Sequence, residues 1–200
     1  MSHQIVLASG NAGKLDEFQG LLLDLQVEVK PQSDFRVSDA DETGLTFIEN
    51  AILKARHAAR ITGLPALADD SGLEIDHLNG APGIYSARYC GTHGDDAGHI
   101  AKVLAELDGV PEAQRTARFV CVLALLRHGD DPRPLICQGT WEGRILTAPQ
   151  GEGGFGYDPI FYVPDHNCSA SELPKSLKNQ LSHRGQAARQ LQQQIQHWLA

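Results

Sequence analysis

Cysteine pairs, basic residues and long apolar runs are scarce in this chain, and each scarcity excludes a class of protein. Its four cysteines are far apart and form no Cys-x-x-Cys pair. This argues against a zinc site or a disulfide framework and favours free thiols in a reducing compartment. The first residues lack the basic-then-apolar pattern of a signal peptide, and no apolar stretch approaches the ~20 residues of a membrane span. We therefore expect a cytoplasmic protein with no membrane partner.

The balance of charge is acidic. Lysine and arginine total 17 against 25 aspartates and glutamates, a formal net charge of −8. Such a chain repels a phosphate backbone, so a DNA or RNA polymer is not an expected partner, whereas local cations can still hold a small nucleotide. The 200 residues, 42% of them hydrophobic, predict one domain over 1–200, with two lobes at most.

Apolar runs alternate with helical patterns along the chain. Thr46 is placed to cap one helix, with Glu49 as its capping-box partner. Gly129–Pro132 is placed to connect two long strands as a hairpin. The predicted strands are 3–8, 26–30, 65–68, 116–128 and 134–146, and the predicted helices are 13–24, 46–62, 95–107 and 184–199.

The segment Ser9–Lys14 lies between the first strand and the first helix. Small residues let backbone N–H groups approach an anion, the helix N-terminus is partly positive, and Lys14 adds a full charge. A polyphosphate fits this pattern. The segment is not a Walker A loop, because Leu15 stands where a Ser or Thr would hold magnesium. An ordinary strand-to-helix turn remains an equal alternative.

Two acidic segments are candidates for metal and proton chemistry. Asp69-Asp70 follows an apolar strand, where adjacent carboxylates suit Mg²⁺ or a general base toward water. A solvated Asx turn explains the same residues. Glu42 lies in an acidic loop that is more simply a solvated charge run. Lys54 shares a helix face with Asn50, four residues earlier.

Two later segments are candidates for binding a base. Gly153–Pro159 combines three glycines with aromatic residues, so the backbone can approach a ligand while Phe155 offers a stacking surface. A tight turn with a packed aromatic is the alternative. His183 and Arg184 offer donors for a carbonyl on a base edge. Capping of the last helix by Ser182 is compatible with that reading.

Six motifs in this order resemble one family, the pyrophosphatases of inosine and xanthosine triphosphate. The resemblance runs from residue 5 to the terminal helix, and six ordered motifs are far more specific than any one alone. The motifs are Ser9–Lys14, Thr46–Ala51 with Lys54, Ala68–Gly72, Gly80–Ser86, Gly154–Pro159 and Ser182–Gly185.

The resemblance implies an activity and an architecture. The activity is Mg²⁺-dependent hydrolysis of ITP, dITP and XTP to the monophosphate and pyrophosphate, which removes deaminated purines from the nucleotide pool. The architecture is an elongated α/β structure: a long twisted mixed sheet flanked by helices, with two lobes and a central active-site cleft. It also implies a homodimer with a small-molecule nucleotide substrate.

The resemblance assigns roles to individual residues. Asp70 is the general base and a metal ligand, and Glu42 is the second metal ligand. The base and sugar pocket is formed by Phe155, Gly156, Tyr157 and Asp158, and the 6-oxo edge is recognised by Lys178, His183 and Arg184. Ser71 contacts the nucleotide. The triphosphate is held by Ser9, Gly10, Asn11, Ala12, Gly13, Lys14 and Lys54.

Three other functions are compatible with parts of the pattern. The first is a related pyrophosphatase of pyrimidine or modified nucleotides, against which Phe155 and His183-Arg184 argue. The second is a nucleotide sensor without catalysis, against which Asp69-Asp70 argues. The third is a P-loop kinase or NTPase, against which Leu15 argues, since the magnesium-binding hydroxyl is missing.

Overall fold

The computed structural model describes residues 3–21 and 27–199 and has the predicted α/β class. Short 3₁₀ turns, such as Gly83–Arg88, connect the longer elements. The helices and strands are β1 (His3–Ala8), α1 (Ala12–Leu21), β2 (Val27–Pro31), α2 (Phe47–Thr62), β3 (Ala66–Ile75), α3 (Asp96–Glu106), β4 (Thr116–Leu126), β5 (Leu135–Ile145), β6 (Phe161–Val163), β7 (Cys168–Ser169), α4 (Lys175–Leu181) and α5 (His183–Leu199).

These strands form one sheet in the order β2-β1-β3-β4-β5-β6-β7. Strand β1 runs parallel to β2 and to β3, with Leu7 opposite Leu67 in the second pair. Strands β5 and β6, and β6 and β7, are antiparallel. The sheet is therefore mixed, as predicted. The elongated shape, the two lobes and the cleft remain predictions.

Most element boundaries agree with the sequence patterns. Thr46 caps α2, because its Oγ1 accepts the N–H of Glu49 at 3.2 Å, and Gly63 ends the helix with a φ of 68°. The terminal helix begins one residue earlier than predicted. Residues 22–24 of the predicted first helix and residue 26 of the predicted second strand lie outside the described residues.

The prediction that the strand ends before Asp69 is wrong. Strand β3 continues through Asp69–Gly72 to Ile75 and lies between β1 and β4 in the sheet. Sheet pairing on both sides overrides the local turn preference of Asp-Ser-Gly. The acidic pair therefore lies in the middle of a buried strand. Strands β6 and β7 and helix α4 were not predicted, because they are too short to show a clear period.

The chain divides into two compact units. Unit 1 comprises residues 1–70, 121–139 and 184–200, and unit 2 comprises residues 71–120 and 140–183. Among the described residues, no helix is both long and apolar enough to cross a membrane. The core of unit 1 includes Ile5, Leu7, Phe18, Leu67, Leu123, Leu125, Leu191 and Ile195. The core of unit 2 includes Leu73, Ile75, Val103, Leu107, Phe119, Trp141, Ile160 and Phe161.

The connection between β4 and β5 is held by a buried carboxylate. Asp131 accepts hydrogen bonds from the backbone N–H groups of Arg127 and Arg133, each at 2.9 Å. The Arg127 guanidinium donates to both of its oxygens at 3.0 and 2.8 Å. This side-chain contact holds the pKa of the Asp131 carboxyl well below its usual range.

We expect Asp131→Ala to lower the free energy of unfolding by about 2–4 kcal/mol at pH 7, because two backbone N–H groups lose their acceptor. The lowered pKa makes this stabilisation complete above the unfolded aspartate pKa of about 3.9, and it is lost as the pH falls toward the folded value. Urea unfolding should therefore show that the difference in free energy of unfolding between wild type and Asp131→Ala becomes smaller from pH 7 to pH 3.

The neighbouring Asp130 is the matched control. Its side chain is 83% exposed and contacts the exposed Arg60. Asp130→Ala should leave the free energy of unfolding unchanged within error. A gap for Asp131→Ala that stays constant across the pH range, or an equal loss in both variants, would contradict this account.

Candidate active site

The segment Ser9–Lys14 presents the start of a helix in unit 1. Asn11 caps α1: its Oδ1 accepts the N–H of Lys14 at 3.0 Å, while Ser9 Oγ accepts the N–H of Asn11 at 3.3 Å. Ala12 is the first helical residue, and Gly10 and Asn11 are exposed. The predicted strand, loop and helix are confirmed, and they form the kind of helix terminus that binds anions.

The acidic loop approaches this segment closely at Gly10. A Cβ added to Gly10 would lie 3.1 Å from Oδ1 of Asp39, so a larger residue would displace the carboxylate. Asp39 in turn accepts a hydrogen bond from Nε2 of the buried Gln32 at 2.6 Å. The lack of a side chain at Gly10 therefore lets the Asp39 carboxylate lie close to this segment.

The two adjacent aspartates of β3 have different partners, because successive side chains of a strand point to opposite faces. Asp69 is 1% exposed, and its Oδ2 lies 3.2 Å from Lys14 Nζ and 3.4 Å from Arg184 Nε. The thiol of Cys121 lies 3.8 Å from the other oxygen. Asp69 thus joins Lys14, in the first turn of α1, to Arg184, in the first turn of α5.

Arg184 is held by a second carboxylate that the sequence analysis missed. Its Nη1 is hydrogen-bonded to Glu17, which is buried on α1 one turn after Lys14. Burial acts to lower the pKa of Arg184, but Asp69 and Glu17 outweigh it and the pKa is raised. The only signal in the sequence was an acidic residue beside the apolar face of α1. These four side chains carry no net formal charge.

Asp70 belongs to a different cluster, which includes Glu42 and Lys54. The Lys54 ammonium donates to Asp70 Oδ1 at 2.7 Å and to Glu42 Oε1 at 2.8 Å. Burial raises the pKa of Asp70, although Lys54 and Lys14 oppose the shift. Burial acts to lower the pKa of Lys54, but Asp70 and Glu42 more than compensate and raise it. This cluster, with two anions and one cation, carries a formal charge of −1.

One oxygen of this cluster suits a further ligand. Asp70 Oδ2 is buried and has no hydrogen-bond partner within residues 3–21 and 27–199. Over the same residues no group of three or more His, Cys, Asp or Glu side chains is arranged around a common point. The cluster offers two carboxylates, and Mg²⁺ is commonly held by one or two carboxylates together with substrate phosphates. The residues present therefore fit this metal.

The backbone near Glu42 is fixed by the start of α2. Asn50 Oδ1 accepts the N–H of Gly44 at 2.9 Å, and Glu49 Oε2 accepts the N–H of Leu45 at 2.9 Å. A Cβ at Gly44 would lie 2.6 Å from the Cβ of Glu49, so glycine is required there. Asn50 and Lys54 lie one turn apart on α2, which confirms that they share a face.

In unit 2, two carboxylates hold the glycine-rich segment around Phe155. The N–H of Phe155 donates to Asp158 Oδ2 at 2.9 Å, and the N–H of Gly156 donates to Asp96 Oδ2 at 2.7 Å. Gly154 has a φ of 74°, and a Cβ there would lie 2.2 Å from Asp158. The predicted approach of this backbone to a ligand remains a prediction, and the contribution of Asp96 from α3 was not predicted.

The buried Lys178 of α4 contacts this segment. It is 7% exposed, its Nζ lies 2.6 Å from Asp158 Oδ2, and the same atom is 5.0 Å from the centre of the partly buried Phe155 ring. A cation at this distance from an aromatic ring is attracted by it. The structure therefore brings together three of the residues that were predicted to contact the base and sugar.

Tyr157 and His183 pack into the core of unit 2. The Tyr157 hydroxyl donates to the backbone oxygen of Ser86 at 2.8 Å, and burial raises its pKa. The His183 ring stacks on Phe119 with centroids 4.8 Å apart. Ser71, next to Asp70 on β3, is partly buried. The roles assigned to these residues in nucleotide binding remain predictions.

Comparison with known proteins gives consistent results. The model of the Ham1 family matches residues 5–194. A dITP/XTP pyrophosphatase of Vibrio cholerae is 61% identical over 188 residues, which cover 94% of both chains. A dITP/XTP pyrophosphatase of Pseudomonas syringae is 59% identical over 192 residues, 96% of both chains.

Solved structures agree with these matches. A HAM1 protein from Coxiella burnetii has 55% sequence identity and a TM-score of 0.90, covering 98% of this chain and 99% of that one. The Staphylococcus aureus Ham1 protein has 43% identity and a TM-score of 0.85, covering 98% and 99%. With a family match over nearly the whole length and relatives far above 30% identity, the chain belongs to the Ham1 family.

Proposed function

We propose that this chain is a nucleoside triphosphate pyrophosphatase that hydrolyses ITP, dITP and XTP to the monophosphate and pyrophosphate, with Mg²⁺ as cofactor. The observation that carries the proposal is the anionic cluster at Asp70, whose buried oxygen has no partner among the described residues. The substrate class is supported by the two dITP/XTP pyrophosphatases that are 59% and 61% identical to this chain.

Unit 1 supplies the groups suited to a triphosphate. Lys14 and Lys54 are cations, and the N–H groups at the start of α1 add partial positive charge. A triphosphate repels an attacking water, so neutralisation of its charge lowers the barrier to attack at the α-phosphorus. In this proposal Ser9–Lys14 and Lys54 hold the phosphates, and Ser71 contacts the nucleotide next to them.

Asp70 is the proposed general base. Its raised pKa makes it a better proton acceptor than a solvated aspartate. Oδ1 is engaged by Lys54, so Oδ2 is the oxygen that would face both the metal and the water whose proton Asp70 would accept. Glu42 and Asp70 would hold Mg²⁺, which when bound neutralises phosphate charge and assists departure of pyrophosphate.

Unit 2 supplies the groups suited to a purine with a 6-oxo group. Phe155 offers a ring for stacking, and Lys178, fixed by Asp158, offers a donor for the oxygen. Adenine carries an amino group at this position and would leave such a donor unpaired. His183 is a further donor proposed for the same edge, as is Arg184, which belongs to unit 1. Gly156 and Tyr157 complete the proposed pocket. A homodimer and a cytoplasmic location also remain predictions.

The direct test is product identification with purified protein. Incubation with ITP, dITP, XTP and the ordinary nucleoside triphosphates should give monophosphate and pyrophosphate from the first three, at least tenfold faster than from ATP. Release of inorganic phosphate from the γ-position would indicate an NTPase instead. Binding of the nucleotides without turnover would indicate a sensor, and either result would overturn the proposal.

The two aspartates should respond differently to the same substitution. Asp70→Asn is expected to lower kcat for dITP by at least 100-fold, because the base is lost, while dITP still binds in equilibrium dialysis. Asp69→Asn leaves Lys14 and Arg184 short of a buried counter-charge and should lower the free energy of unfolding by about 3–5 kcal/mol.

Urea unfolding of both variants separates these effects. Asp70→Asn should remain folded under the assay conditions, so that its loss of turnover reports chemistry. Retained hydrolysis by Asp70→Asn would remove this residue from the role of base. An unchanged stability of Asp69→Asn would show that its ion pairs are not a structural requirement.

Glu42 is expected to affect the metal requirement. Glu42→Gln removes one of two carboxylates, so the Mg²⁺ concentration for half-maximal activity should rise about tenfold, the effect of ~1.4 kcal/mol. Asp41→Asn is the matched control, since Asp41 is an exposed neighbour in the same loop. Equal Mg²⁺ curves for wild type and Glu42→Gln would rule out Glu42 as a ligand.

A further inference from the structure

The two peptide groups that flank Phe155 each donate a hydrogen bond to a carboxylate. One carboxylate is Asp158, and the other is Asp96, which has no role in the proposed function. Asp158 accepts the N–H before the Phe155 Cα at 2.9 Å, and Asp96 accepts the N–H after it at 2.7 Å. With the peptides on both sides fixed, the direction of the Cα–Cβ bond of Phe155 is fixed as well.

Glycines on both sides of Phe155 give the local backbone wide conformational freedom. Gly154 and Gly156 both have positive φ, 74° and 61°, and a Cβ at Gly156 would meet nothing within 4 Å. Residues 151–154 are exposed. Glycine has wide backbone freedom, and packing does not restrict Gly156, so the carboxylates that accept the amides of Phe155 and Gly156 restrict the backbone there.

Asp96 is a well-anchored acceptor. Asp95 caps α3 by accepting the N–H of Gly98 at 3.0 Å. One turn later His99 is 2% exposed, and its Nδ1 accepts the N–H of Cys90 at 3.1 Å. The first turn of α3 is therefore held in place, and the exposed Asp96 carboxylate extends from it to Gly156.

We propose that Asp96 is a positioning residue that fixes the ring of Phe155 for stacking on the purine of the substrate. The inference rests on the proposed function, in which Phe155 is the stacking surface. Asp96 acts through the Gly156 peptide and does not contact the substrate. A simpler role is also available to it, since a carboxylate in the first turn stabilises a helix through the dipole.

The variants Asp96→Asn and Asp96→Ala separate the two roles. Asparagine loses the charge but keeps an oxygen that can accept the Gly156 N–H, whereas alanine loses both. We expect Asp96→Ala to raise the KM for dITP about tenfold with kcat within about twofold of wild type. Asp96→Asn should keep KM within about threefold. Asp96→Ser, which is too short to reach Gly156, should behave like alanine.

A double variant tests whether the effect passes through Phe155. In the Phe155→Ala background, Asp96→Ala should raise KM by less than twofold further, because there is no ring left to position. Effects on KM that multiply, or an Asp96→Asn variant as defective as Asp96→Ala, would overturn the proposal.

Hydrogen exchange provides a readout that does not depend on activity. In the ligand-free protein the Gly156 amide should exchange at least tenfold faster in Asp96→Ala than in wild type or Asp96→Asn. If wild type releases no pyrophosphate, the proposed function fails, and this exchange pattern still tests the contact. If wild type is active but KM and Gly156 exchange are unchanged in Asp96→Ala, only the role of Asp96 fails.

Discussion

The constraint on which the site depends is the burial of two adjacent carboxylates within strand β3. Strand geometry sends Asp69 and Asp70 to opposite faces, so each carboxylate forms its ion pair with a different lysine. A buried carboxylate is costly unless it is paired. The chain must therefore bring cations to each face, and it does so with Lys14 and Arg184 on one and Lys54 on the other.

The two faces differ in their balance of charge. Around Asp69, two cations and two carboxylates cancel, so the cluster joins α1 to the start of α5 at no net charge. Around Asp70, Lys54 faces two carboxylates, and one buried oxygen has no partner within the described residues. The adjacent aspartates Asp69 and Asp70 therefore belong to clusters of different net charge.

The sequence predicted the structural features that depend on residues close together in the chain. It did not predict those that depend on contacts between distant residues. The cap at Thr46, the stop at Gly63 and the two long strands follow from local patterns, and the structure has them. The continuation of β3 through Asp69–Gly72 does not follow from a local pattern, because sheet pairing overrides a local turn preference there. The Glu17–Arg184 pair joins residues 167 positions apart, and no local pattern reports such a contact.

Selectivity for a base also depends on contacts between residues that are distant in the chain. A donor rejects the wrong base only if it cannot move to another partner, so discrimination depends on rigidity as much as on residue type. The glycines around Phe155 favour the opposite, a flexible backbone. The structure resolves this conflict with fixed acceptors: Asp158 holds Lys178 and the Phe155 amide through one oxygen, and Asp96 holds the next amide. Glycines let the backbone adopt the required shape, and carboxylates on neighbouring elements keep it there.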